Sequence, residues 1–283
     1  GWSPIRRRRA ESALREVIDY RLTLDLRRGW RITAPNLEQV GLMHVEYEAL
    51  DEAAADARWW AKTHPALSGA TPETRREVIR VLLDVTRRAL AIYTPALQAE
   101  KQDLLKQQSY QNLREPWSLD HGEQMEIAPI LLPRSKRPHD RQGFTHLSSR
   151  SRFGQYLRRA ATLPHLPATP SLNETGEIIE QLLERLRAYG YLIEVLERRD
   201  GDPPGYQLRA DVIHLVMGDG SAPAVDPLTT IRRSGIDPNA NAFFQRFYRE
   251  RARHLRDLRA KEHTAHVSAA DREGREDEFK SAK

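Results

Sequence analysis

The chain has 283 residues, 39% hydrophobic and 30% charged, and its 45 basic residues against 40 acidic ones leave a formal net charge of +5. That length supports one or two ordinary hydrophobic cores, and the small positive excess permits contact with nucleic acid without concentrating it on one surface. With no cysteine, disulfides, thiol catalysis, cysteine-ligated zinc and iron–sulfur clusters are excluded, and no apolar run approaches the roughly 20 residues that a membrane-crossing helix needs. A cytoplasmic protein is expected, with no membrane partner.

In chain order, the spacing of Leu14, Val17, Ile18 and Leu22 predicts a helix from Glu11 to Arg28, followed by a short strand around Trp30 and Ile32. Asn36 to Val40 reads as a short helix closed by Gly41, Leu42 to Tyr47 as a strand, and Leu50 to Trp60 as a helix. Ala70 to Leu90 carries the plainest helix signature, with Thr71 as cap, Pro72 in the first turn, and an apolar face of Val78, Ile79, Leu82, Leu83, Val85 and Leu90. Thr94-Pro95 repeats the device ahead of a helix carrying Leu97, Leu104 and Leu105. Pro129, Pro133 and Pro138 make Glu115 to Leu147 an extended connection.

Ser148 to Ala161 then reads as a basic helix, setting Arg150, Arg152, Arg158 and Arg159 among Phe153, Tyr156 and Leu157. Beyond the Pro-rich link Leu163 to Pro170, Ser171 and Glu174 stand at capping-box spacing, and Ile178, Ile179, Leu182, Leu183 and Leu186 form an apolar face that ends at Gly190. Tyr191 to Leu196 and Gly205 to Leu208 are expected to pair as a hairpin, followed by a helical turn at Asp211 to Ile213 and a strand to Met217. Leu37 to Met43 and Leu186 to Leu192 share a Leu, three residues, Gly and an apolar pair, and predict two helix-to-strand corners of similar design.

A helix, a Gly and a hairpin with a charged tip make the arrangement of a winged helix. On that reading the wing offers Arg198, Arg199 and Arg209 to phosphates, and the neighbouring helix adds Arg150, Arg152, Arg158 and Arg159. The helix from Glu174 to Tyr189 is a poor reader of DNA, because Glu177, Glu180 and Glu184 on its outer side repel phosphates. Phe243, Phe244, Phe247 and Tyr248 share one helical face and read as packing residues before base-stacking ones.

Near the end, Glu262-His263-Thr264-Ala265-His266-Val267 is followed by Ser268, Asp271-Arg272 and Phe279. This run resembles the second RecA-like domain of superfamily 2 helicases, and within them the large bacterial DEAD/DEAH-box enzymes with long insertions, differing at His266, where that group carries Gln. Pro35 to Leu42, Gly205 to Leu208, and Asn241 to Phe244 with Phe247-Tyr248 resemble the same group. The resemblance implies an internal segment of an ATP-dependent helicase, mainly α-helical with small β hairpins. Its parts would be a helical and strand module at 1–66, a helical hairpin with an extended connection at 67–147, a winged-helix-like module at 148–220, and a return into the RecA-like α/β domain at 221–283.

The same resemblance implies that His263 and Thr264 lie near the bound strand, that the partners are DNA and the remaining helicase domains, and that ATP and Mg are cofactors of the parent enzyme. Lacking a Gly-Xaa4-Gly-Lys-Ser/Thr loop and an Asp-Glu-Xaa-His/Asp box, this stretch is not expected to hydrolyse ATP by itself, has no catalytic residue, and needs no cofactor of its own. Glu262, His263 and His266 lack the spacing of converging metal ligands. Two other readings stand beside the helicase segment: a free-standing winged-helix DNA-binding regulator, and a scaffold that binds no nucleic acid.

Overall fold

The computed structural model describes residues 3–27, 35–134, 143–197, 202–221, 223–228 and 241–251. In chain order these form α1 (Pro4–Asp25), β1 (Met43–Tyr47), α2 (Leu50–Ala55), α3 (Ala57–Trp60), α4 (Pro65–Ser68), α5 (Pro72–Arg88), β2 (Ile92–Tyr93), α6 (Ala99–Asn112), β3 (Ile130–Leu132), β4 (Phe144–His146), α7 (Arg152–Leu157), α8 (Leu172–Tyr189), β5 (Leu192–Leu196), β6 (Gly205–Arg209), β7 (Ile213–Met217) and α9 (Ala242–Arg246). About half of the described residues are helical and the strands form a curled sheet, so the chain is mixed α/β rather than mainly α. No helix among the described residues is long and apolar enough to cross a membrane.

Local capping chemistry explains several boundaries. Helix α1 starts ahead of Glu11, because Ser3 accepts from the Arg6 N–H and Pro4 suits the first turn. The helix expected over Leu50 to Trp60 breaks at Asp56, whose carboxylate accepts from the Arg58 and Trp59 N–H groups and so caps α3. Thr94 makes no such bond. A 3₁₀ turn at Pro95–Leu97 follows it, and α6 begins only at Ala99. The Pro-rich connection contains β3 and β4, and the basic helix shrinks to the six residues of α7. The strand expected around Trp30 and Ile32 lies outside the described residues.

The two similar corners are similar in geometry, although residues 37–41 form a turn and not the helix expected over Asn36 to Val40. Leu42 N–H donates to Leu37 O at 3.0 Å and Gly41 N–H to Glu38 O at 3.2 Å; Tyr191 N–H donates to Leu186 O at 2.9 Å and Gly190 N–H to Arg187 O at 3.1 Å. Gly41 at φ 71° and Gly190 at φ 99° make this Schellman closure without strain. Helix α5 closes the same way, through Ala91 N–H to Thr86 O and Leu90 N–H to Arg87 O, yet the left-handed position there is occupied by Leu90 at φ 57°. The strain of about 1 kcal/mol is offset by burying the Leu90 side chain, a gain of about 2 kcal/mol.

Strands β5 and β6 form the expected antiparallel hairpin, and β6 is the centre of the larger sheet. Leu208 pairs with Leu192 of β5 and Ile92 of β2, and Tyr206 with Glu194 of β5 and Leu131 of β3, so β5 takes one edge while β2 and β3 share the other. Strand β3 runs parallel to β4. The strand ending at Met217 forms, but it pairs antiparallel with β1 in a separate two-stranded sheet, from Met43 opposite Met217 to Tyr47 opposite Ile213.

Gly1–Ala240 is one compact unit and Asn241–Lys283 another. In the first unit, one core joins Tyr47, Leu50 and Trp60 to Leu82, Phe153, Ile179 and Leu208, and a second joins Val17 and Tyr20 of α1 to Met43, Leu90, Leu97 and Leu105. In the second unit, the Asn241 side chain accepts from Phe243 N–H, and Phe243, Phe244, Phe247 and Tyr248 pack ring against ring.

A buried ion cluster lies within the first unit. Arg87, fully buried near the end of α5, grips Glu38 through two bonds of 3.1 and 2.9 Å, donates to Asp84 at 3.0 Å and to the Tyr47 hydroxyl at 3.2 Å, and that hydroxyl donates to Asp84 at 2.8 Å. Burial by itself would lower the Arg87 pKa; Tyr47, Glu38 and Asp84 together raise it, so the guanidinium stays charged. Replacing Arg87 with Met leaves two buried carboxylates facing each other. Urea denaturation of that variant is expected to show a loss of about 3–5 kcal/mol, and a loss under 1 kcal/mol would refute the role given to the cluster.

Candidate nucleic-acid interface

Helix α7 is set by the turn ahead of it. Ser151 donates to Ser148 O at 2.6 Å and accepts from Gly154 N–H at 3.2 Å. A Cβ on Gly154 would lie 2.3 Å from Ser149 O, so only glycine lets the turn fold back this closely. Phe153, Tyr156 and Leu157 bury one face in the first core, which leaves Arg152 and Gln155 on the other. Tyr156 stays a neutral phenol. Burial first, and then the Glu77 charge, push its pKa up to about 12.

The four arginines expected to act together here divide into two pairs. Arg150 and Arg152 are exposed and have no side-chain partner among the described residues. Arg158 and Arg159 turn inward: Arg158 donates to Ser149 O, and Arg159 donates to Pro227 O at 2.6 Å and Leu228 O at 3.1 Å while its guanidinium lies 5.6 Å from the Tyr156 ring. At the end of β6, Arg209 forms a two-bond pair with Asp211 and holds that carboxyl below its usual range. Arg198, Arg199, His263 and Thr264 lie outside the described residues.

A cleft of about 380 Å³ opens beside Arg152, with Arg88 of α5, His146 of β4, Asp226, Phe153 and Leu228 among its lining. The Arg88 side chain is 13% exposed, and its terminal nitrogens stand 3.5 Å from Asp226, 3.5 Å from Glu38 and 3.9 Å from Asp84. Its Nε and the Nδ1 of His146 are buried without a hydrogen-bond partner among the described residues. An unsatisfied polar group of this kind costs about 1–3 kcal/mol. Sequence reasoning passed over both residues: Arg88 looks like a cation closing a helix, and His146 stands at the end of a Pro-rich stretch.

Helix α8 packs as its pattern requires, with Ile178, Ile179, Leu182, Leu183 and Leu186 buried and Glu177, Glu180 and Glu184 exposed. The full capping box of Ser171 and Glu174 fixes its start. Neither a phosphate-cradling glycine loop nor an acidic Mg-binding box occurs in the sequence. Comparison with protein-family models, with curated proteins and with solved structures finds no match to this chain.

The two kinds of arginine are expected to respond differently to truncation. Arg159→Ala removes two bonds that hold the 226–228 segment and should cost about 1–3 kcal/mol in thermal or urea unfolding, whereas Arg150→Ala and Arg152→Ala should stay within about 0.5 kcal/mol of the parent. Equal losses at all three positions would contradict the division.

Proposed function

We propose that this chain is part of an ATP-driven, superfamily 2 helicase-type motor, and that residues 148–220 act in it as a winged-helix-like element that holds a nucleic-acid strand by its backbone. The observation that carries the reading is the order of parts: α5 and β3, which precede residues 148–220, are followed by α7, α8, β5 and β6 within them, and β6 lies between β3 and β5. A winged helix has this order, with its first strand beside the last strand of the wing. Here β2, α6 and β4 are interposed.

The charge pattern supports contact through the start of α7 instead of base reading by α8. Arg150 and Arg152 are exposed in the turn and first residue of α7, without a side-chain partner among the described residues, whereas the exposed side of α8 offers Glu177, Glu180 and Glu184. Phosphate contact gives affinity without sequence preference, as a motor that moves along a strand requires. ATP and Mg would be handled by other parts of such a motor, with this stretch bracing it and positioning the strand.

Two measurements test the proposal. Fluorescence anisotropy with a single-stranded oligonucleotide over a salt series is expected to show binding that the double variant Arg150→Gln/Arg152→Gln weakens, with a salt slope smaller by about 1.4. Unchanged affinity and slope would overturn the strand-holding role. Sequence-specific duplex binding would favour a free-standing regulator, and no binding at all a scaffold. Separately, the reading frame around these codons is expected to encode a Gly-Lys-Ser/Thr loop upstream and a Gly-Val-Asp-type helicase motif after Lys283; a frame lacking both removes the motor assignment.

A further inference from the structure

We infer that the cleft between the end of α5, the end of β4 and the start of α7 is a binding site for a phosphate group, held by Arg88, His146 and Arg152. This rests on the reading of the α7 turn as a nucleic-acid contact and deepens it by naming what the turn delivers and where. Three nitrogen-bearing residues from three separate elements line one cleft, and two of them have a buried nitrogen without a hydrogen-bond partner among the described residues. A guanidinium pairs well with the oxygens of a phosphate, and an imidazole supplies a ring N–H in one tautomer or in its protonated form. At about 380 Å³ the cleft falls at the small end of ligand-binding cavities and exceeds what a bare phosphate fills, leaving room for the nucleoside that carries it.

Three carboxylates oppose this use: Glu38 at 3.5 Å and Asp84 at 3.9 Å from Arg88, and Asp226, the one of the three that lines the cleft. Its Oδ1 stands 3.5 Å from Arg88 Nη1, longer than a well-formed charge-assisted bond of about 2.7–2.9 Å, and it also accepts from Leu228 N–H at 3.0 Å. An arriving phosphate therefore competes with Asp226 for Arg88. Asparagine at this position keeps an acceptor for Leu228 and removes the competing charge. Asp226→Asn is thus expected to tighten phosphate binding, an effect that mere structural damage does not produce.

The test uses the full chain and three probes: inorganic phosphate, an oligonucleotide with a 5′-phosphate, and the same oligonucleotide with a 5′-hydroxyl. Calorimetric titration is expected to show preference for the 5′-phosphorylated strand and competition by inorganic phosphate. His146→Gln and Arg152→Gln should each weaken the phosphate-dependent part about tenfold, and Asp226→Asn should strengthen it severalfold, in proteins whose melting curves show them folded. Binding of inorganic phosphate with no affinity for either strand would uphold the phosphate site and remove its nucleic-acid source. Equal affinity for the two strands, no competition by inorganic phosphate and no gain from Asp226→Asn would overturn the site, while a loss of strand binding in Arg150→Gln would leave the strand-holding role of α7 standing.

Discussion

Arg87 joins parts of the chain that have no covalent reason to meet. Its guanidinium reaches Glu38 in the first corner, Tyr47 at the end of β1 and Asp84 one turn earlier in its own helix. Charge buried this completely is tolerated only when every partner is in place, because the desolvation cost of each ion is recovered solely through the others. The cluster therefore fixes α5 against the corner and β1, and through β1 it fixes β7. Its outer members, Arg88 and Asp226, line the cleft beside α7, so the candidate binding site is the exposed end of the same ionic arrangement.

Two helix ends and one turn close on one hydrogen-bond pattern, and their differences are instructive. Gly41 and Gly190 supply the left-handed residue at no steric cost, and the corners are recognisable from the glycine and its apolar neighbours. At the end of α5 the same geometry is forced on Leu90, whose side chain is fully buried in the second core. Packing outweighs backbone preference there, and it also orients the turn that carries Arg87 and Arg88.

The basic surface shows how far residue type falls short of role. Arg150, Arg152, Arg158 and Arg159 are alike in sequence, yet two point to solvent and two hold the chain's own carbonyl groups. The distinction comes from Gly154 and Ser151, which fold the 148–151 turn back over the helix, and from the 226–228 segment, which reaches Arg159 from far along the chain. The proposed binding surface, made of the exposed pair and the cleft, is smaller than the run of arginines implies, and it includes two residues of which that run gives no sign.

Elements whose cause is local were legible from the sequence: the Thr71 cap and apolar face of α5, the capping box and Gly190 of α8, the two corners, and the β5–β6 hairpin. Each depends on side chains within a few residues of one another, so spacing alone carries the information. The partner of β7, the strands β3 and β4 within the Pro-rich connection, the inward turn of Arg158 and Arg159, and the placing of Arg88 and His146 on one cleft were decided only by tertiary structure. These depend on which surfaces bury each other and on how buried charges find counter-charges, and neither leaves a periodic trace along the chain.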